Sequence, residues 1–172
     1  MRSKSVGLAL VAVLVAVLIS ADGAAAQQAG RWKISAGRDA ATATLYSLNT
    51  LTAGTRTIDY HPALVLSCEA RRYPVWRQAV VVRQTISGED RIGVSIRLDN
   101  GGAFNEQWVL AQKGRALQTD GDEQVARLSR ARRLHLSWRF GVFSGRGEAV
   151  FDLAGITDTL AQLAQACGTD VP

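Results

Sequence analysis

The chain has 172 residues, a net charge of +5 and only two cysteines and two histidines. That length suits one domain with its own core. So small a Cys/His inventory, without a cluster, excludes a typical zinc site, and no apolar run beyond the first 26 residues is long enough for a membrane span.

At the N-terminus, Arg2 and Lys4 precede an uncharged apolar run of 14 residues, Val6 to Ile19, followed by small residues through Ala24 and Ala26. This pattern predicts a secretory signal peptide over residues 1–26, cleaved between Ala26 and Gln27. The run is short of the roughly 20 residues that cross a bilayer. Residues 27–172 then form a single exported domain with no transmembrane segment, expected in the periplasm. Export argues against a nucleic-acid partner. Of the 20 basic residues 17 are arginine, a side chain suited to carboxylate and phosphate recognition.

The mature chain alternates with period two. "ATLYSL", "LVLSCEA" and "VWRQAVVVRQTI" are the first strand candidates, with Leu64, Leu66, Cys68 and Ala70 on one face of the second. "IGVSIRLD" sets Ile92, Val94, Ile96 and Leu98 against Gly93, Ser95, Arg97 and Asp99. "FNEQWVL", "LHLSWRF" and "GEAVFD" follow, with Leu134, Leu136, Trp138 and Phe140 inward and His135, Ser137 and Arg139 outward. One apolar and one wet face is the pattern of antiparallel sheets. "DNGG" at Asp99 to Gly102 is a hairpin signal, and "ISGED" and "FSGRG" read as turns of the same kind. Two segments have helical period: "DEQVARLSRARR", with Val125, Leu128 and Ala131 on one side, and the C-terminal "LAGITDTLAQLAQAC", with Leu153, Ile156, Leu160, Leu163 and Cys167 on one face. Asp152 is the expected cap of the last helix and Gly168 its stop. The fold class expected is mostly β: an antiparallel sheet or β-sandwich of about six to eight strands, one short helix, and a C-terminal α-helix packed on the sheet.

Cys68 and Cys167 both fall on inward faces, and two cysteines in an exported domain pair in one intramolecular way. The expected disulfide ties the last helix to a strand. No nucleophile elbow, zinc-protease motif, phosphate loop or dinucleotide fingerprint occurs, so no catalytic residue, metal ligand or cofactor is predicted and the chain is read as a non-enzyme. A candidate binding surface combines Arg71, Arg72 and Trp76 of "RRYPVWR" with Arg97, Asp99 and Trp108. Trp76 and Trp108 read equally as core packing or as platforms for a ligand ring.

The pattern resembles the VasI-like periplasmic proteins associated with type VI secretion. The likeness runs from Trp32 and Asp39 in "WKISAGRDAATATLYSL" through Cys68, "IRLD" and Trp108 to the ending "FDLAGITDTLAQLAQAC". The ending also resembles the exported envelope proteins of the invasion-associated locus B type. Either resemblance implies a periplasmic accessory protein with an envelope or secretion-machine partner, and Cys68 and Cys167 as a structural pair. The alternative is a β-module that binds an envelope ligand such as peptidoglycan or an anionic glycan.

Overall fold

The computed structural model describes residues 31–37, 40–53, 58–70 and 74–172. The signal peptide and its cleavage site, Asp39, Arg71 and Arg72 lie outside the described residues.

Among the described residues, eleven strands and two α-helices follow in chain order: β1 (Lys33–Ala36), β2 (Ala40–Tyr46), β3 (Leu51–Ala53), β4 (Ile58–Tyr60), β5 (Ala63–Glu69), β6 (Val75–Val81), β7 (Arg91–Leu98), β8 (Phe104–Ala111), β9 (Ala116–Asp120), α1 (Asp122–Ala126), β10 (Arg133–Arg139), β11 (Arg146–Asp152) and α2 (Ile156–Cys167). Nine strands form one sheet in the order β1-β2-β5-β6-β9-β8-β7-β10-β11, and β3 and β4 make a separate two-stranded sheet. All pairs are antiparallel. The mostly β expectation holds, with more strands than the sequence suggested. Among the described residues, no helix is long and apolar enough to cross a membrane.

The inward positions follow the sequence pattern, except that Ile92 and Leu98 are half-buried and Ala70, past the end of β5, is exposed. Leu64, Leu66 and Cys68 of β5, Val94 and Ile96 of β7, and Leu134, Leu136 and Trp138 of β10 are all buried. The sheet curls until its last strand meets the segment after β2. There Leu48 donates its backbone N–H to Val150 O at 2.7 Å. Asn49 completes the seam: its Oδ1 accepts the Val150 N–H and its Nδ2 donates to Glu148 O, each at 2.8 Å. A side-chain amide thus satisfies part of the β11 edge, which would otherwise offer free backbone groups to another chain.

α2 packs across β2 and β5 on the inner face. Ala41 and Ala43, both fully buried, keep β2 low beneath the helix. Ile156, Leu160, Leu163 and Cys167 form its buried face. The helix begins later than the sequence suggested. Asp152 Oδ1 accepts the Ala154 N–H at 3.1 Å, which closes a turn before the helix rather than capping it. The N-cap is Gly155, at φ 78°, with no side-chain cap. Gly168, at φ 63°, stops the helix as expected, and Thr169 N–H returns to Ala164 O at 3.0 Å. Cys68 and Cys167 are bridged, with a Cα–Cα distance of 6.3 Å.

Of the three turn expectations, two hold and one resolves differently. "DNGG" joins β7 to β8 and "FSGRG" lies in the β10–β11 hairpin. "ISGED" instead lies in a crossover, because β6 and β7 are not neighbours: β9 and β8 stand between them.

Candidate functional site

Of the expected binding surface, Arg71 and Arg72 lie outside the described residues, and the other four residues do not come together. Trp76 is 2% exposed and Trp108 fully buried. Trp76 lies opposite Cys68 in the β5–β6 register, beside the disulfide. Trp108 donates its indole N–H to Glu106 Oε2 at 3.0 Å. Both rings therefore belong to the core and neither is a ligand platform. Asp99 also leaves the site. At φ 50° it turns out of β7, and its Oδ1 accepts the backbone N–H groups of Arg132 and Arg133 at 2.9 and 2.8 Å. It anchors the start of β10.

Arg97 remains, exposed on the outer face as expected, and the sheet brings it partners that lie far off in sequence. His135 is directly opposite Arg97, and Ser137 is opposite Ser95. On the other side of β10, Ser137 faces Glu148 and Arg139 faces Arg146. Ser95, Arg97, His135, Ser137 and Glu148 line a shallow cavity of about 150 Å³. A second depression of about 150 Å³ shares Ser95 and Ser137 and continues to Arg139 and Arg146. The result is a polar groove with a small-residue floor and arginine at both ends.

Arg97 Nη2 lies 3.2 Å from His135 Nδ1. A guanidinium only donates, so Nδ1 is the acceptor and the neutral ring carries its proton on Nε2. Burial, followed by the charges of Arg97 and Arg133, holds the His135 pKa below its ordinary value, and Glu148 only partly opposes this. His135 is therefore neutral near pH 7, with Nε2–H as a hydrogen-bond donor. This polarity is wrong for a serine–histidine relay. That relay needs an unprotonated Nε2 to take the hydroxyl proton and an acceptor on Nδ1 to orient the ring. Ser137 and Glu148 flank the histidine without supplying either. Along its lining the groove offers an anionic group one guanidinium, one imidazole N–H and two serines, against the single carboxylate of Glu148.

Two other charged clusters, around Arg127 and Arg77, are structural. Arg127 forms a bidentate ion pair with Glu106, with Nη2 to Oε2 at 2.9 Å, and its guanidinium lies 5.2 Å from the centre of the Phe104 ring. The hydrogen bonds from Arg127 hold the Glu106 carboxyl below its usual pKa, against the effect of burial, and Trp108 adds to the lowering. Arg77 bridges strands on the outer face, to Asp120 at 2.6 Å and to Glu69 at 3.0 Å.

The solved structures include one of the same fold. Invasion associated protein B from Bartonella henselae superposes with a TM-score of 0.54, over 81% of this chain and 95% of that one, at 16% sequence identity. The likeness is one of fold. It falls on the invasion-associated side of the two resemblances and adds nothing to the type VI side. No family model matches the chain, and no curated protein matches it.

Proposed function

We propose that this chain is an exported accessory protein of the cell envelope that works by binding rather than catalysis, and that its Arg97–His135 groove receives an anionic group of an envelope polymer. The observation that carries the reading is the Arg97-to-His135 contact at 3.2 Å. It fixes the tautomer that donates to an anion and removes the one that would serve as a base. The signal-peptide pattern and the fold shared with invasion associated protein B are consistent with this reading.

The test is co-sedimentation with purified peptidoglycan sacculi, with anionic glycan beads in parallel. The wild type should be retained on one of the two. Retention should rise as the pH falls below about 6.5, the ordinary histidine value, because protonation adds a positive charge to the groove. Arg97→Ser should release the protein without lowering its melting temperature, and His135→Gln should flatten the pH response. Retention that neither substitution alters, or no retention on either matrix, overturns the reading.

A finer placement, beside a type VI secretion machine, is supported by the ending "FDLAGITDTLAQLAQAC". Secretion genes adjacent to the coding sequence, and loss of secretion on its deletion, are the expected observations; an unrelated neighbourhood with secretion intact counts against it.

A further inference from the structure

The β10–β11 hairpin ends in two apolar side chains with no place in the fold. Phe143 is 99% exposed and Val142 is 80% exposed. Folding removes almost no water from either, so neither contributes to the core. Their support is nevertheless well built. Phe140 N–H donates to Gly145 O at 3.1 Å and closes the loop beneath the tip. Ser87, on the crossover between β6 and β7, donates its N–H and its hydroxyl to Phe140 O at 2.8 and 3.1 Å. A Cβ at Gly141 would lie 2.6 Å from Ser87 Oγ, so the hydroxyl that bonds Phe140 O would have to move. Phe140 is itself buried and packs edge-on against Trp138, with ring centres 5.8 Å apart. The two apolar residues thus stand on a pinned base.

The charges around that base have one dominant sign. Arg139 and Arg146 face each other at the foot of the hairpin, and Arg91 and Arg139 line an adjoining depression of about 380 Å³ beside Val142. Across the two adjoining depressions beside the hairpin the charged residues are Arg91, Arg139 and Arg146 against Glu89. An apolar point backed by arginines matches a surface that is anionic at its boundary and apolar just beneath. A narrow protrusion of two side chains suits insertion better than docking on a flat protein face.

We infer that the Val142–Phe143 tip inserts into the headgroup region of an anionic lipid bilayer, with Arg91, Arg139 and Arg146 on the lipid phosphates. Shallow insertion is what the backbone allows, since the loop could not bury its free N–H and C=O groups in hydrocarbon. Apolar area and attraction to anionic lipid act together in such surface binding. Arg139 and Arg146 also close the far end of the groove, but the Val142–Phe143 tip lies outside both of its depressions.

The test uses protein purified after export, so that wild type and variants share the same N-terminus. It is sedimented with vesicles of phosphatidylethanolamine and phosphatidylglycerol, and with phosphatidylcholine vesicles as the neutral control. The wild type should partition onto the anionic vesicles and leave them as salt rises. V142S/F143S should weaken partitioning on the order of 100-fold, as expected for two apolar side chains returned to water. R139S/R146S should weaken it on the order of 10- to 30-fold and reduce the salt dependence, leaving only the share of Arg91. Both pairs are exposed, so far-ultraviolet circular dichroism should show unchanged folding. Equal sedimentation of the wild type and V142S/F143S overturns the inference, as does equal binding to neutral vesicles. A wild type that ignores vesicles but forms a dimer that V142S/F143S abolishes would assign the tip to a second copy of the chain instead.

Discussion

Removing the disulfide should be the most damaging small change available in this fold. Cys68 is fully buried and Cys167 is 6% exposed, and the bridge between them closes a sequence separation of 99. For a loop near 100 residues, the chain-entropy model gives about 4.7 kcal/mol of stabilisation through restriction of the unfolded chain. Unfolding entropy of about 2.1 cal/mol/K per residue gives about 0.3 kcal/mol/K for a domain of this size, so the melting temperature should fall by roughly 15 °C. The double variant Cys68→Ala/Cys167→Ala avoids a lone thiol and leaves both sites apolar. α2 has only 12 residues and is too short to persist alone in water, so its C-terminal turn should loosen first. Thermal unfolding followed by circular dichroism checks the magnitude. Oxidised wild type should melt well above the double variant, while wild type reduced in denaturant and refolded should melt with it. Two free thiols in unreduced, denatured wild type, or oxidised melting temperatures within about 2 °C of each other, would refute the reasoning.

Three further outcomes are expected. Gly147 lies opposite Trp138, and a Cβ there would sit 2.5 Å from the ring; Gly147→Ala should cost about 1–3 kcal/mol by overpacking, read by urea denaturation, and a neutral result would mean that the buried indole shifts freely. Gln78 is fully buried and neither atom of its amide has a hydrogen-bond partner among the described residues; Gln78→Met keeps the size and should stabilise by about 1–3 kcal/mol, whereas a lower melting temperature would show that the amide is satisfied in solution. The Glu106 pKa is lowered in the fold, so its stabilising effect is present above the unfolded value near 4.3 and is lost as pH falls through the folded value; acid titration should show this loss in wild type, and Glu106→Gln should remove it. Identical acid profiles for the two proteins would show that the Arg127 pair does not control acid stability.

Much of the fold was legible because its signals are local. Strict alternation in "IGVSIRLD" and "LHLSWRF" identified β7 and β10 and their buried sides, since a strand sends alternate side chains to opposite faces wherever it pairs. The face of α2 and the pairing of Cys68 with Cys167 were readable for a similar reason: period marks an inward side, and two cysteines leave one intramolecular partner each. β9 was missed although it lies at the centre of the sheet. Ala116 and Leu117 are both buried in succession, so the strand carries no alternation to detect.

Only tertiary structure decided what each element meets. "ISGED" has the residues of a hairpin turn, yet it crosses over, because turn chemistry is local and strand order is not. Trp76 and Trp108 were ambiguous because an indole suits a core and a ligand platform alike; closure of the sheet and the Glu106 acceptor settled both. The groove shows the division most clearly. The outward side of Arg97 follows from its position in a period-two strand. His135 and Glu148 come from 38 and 51 positions away, and they share its cavity only because β10 lies between β7 and β11. Alternation determines which way a side chain points, whereas strand order, set by the burial of the whole apolar face at once, determines which side chains it stands beside.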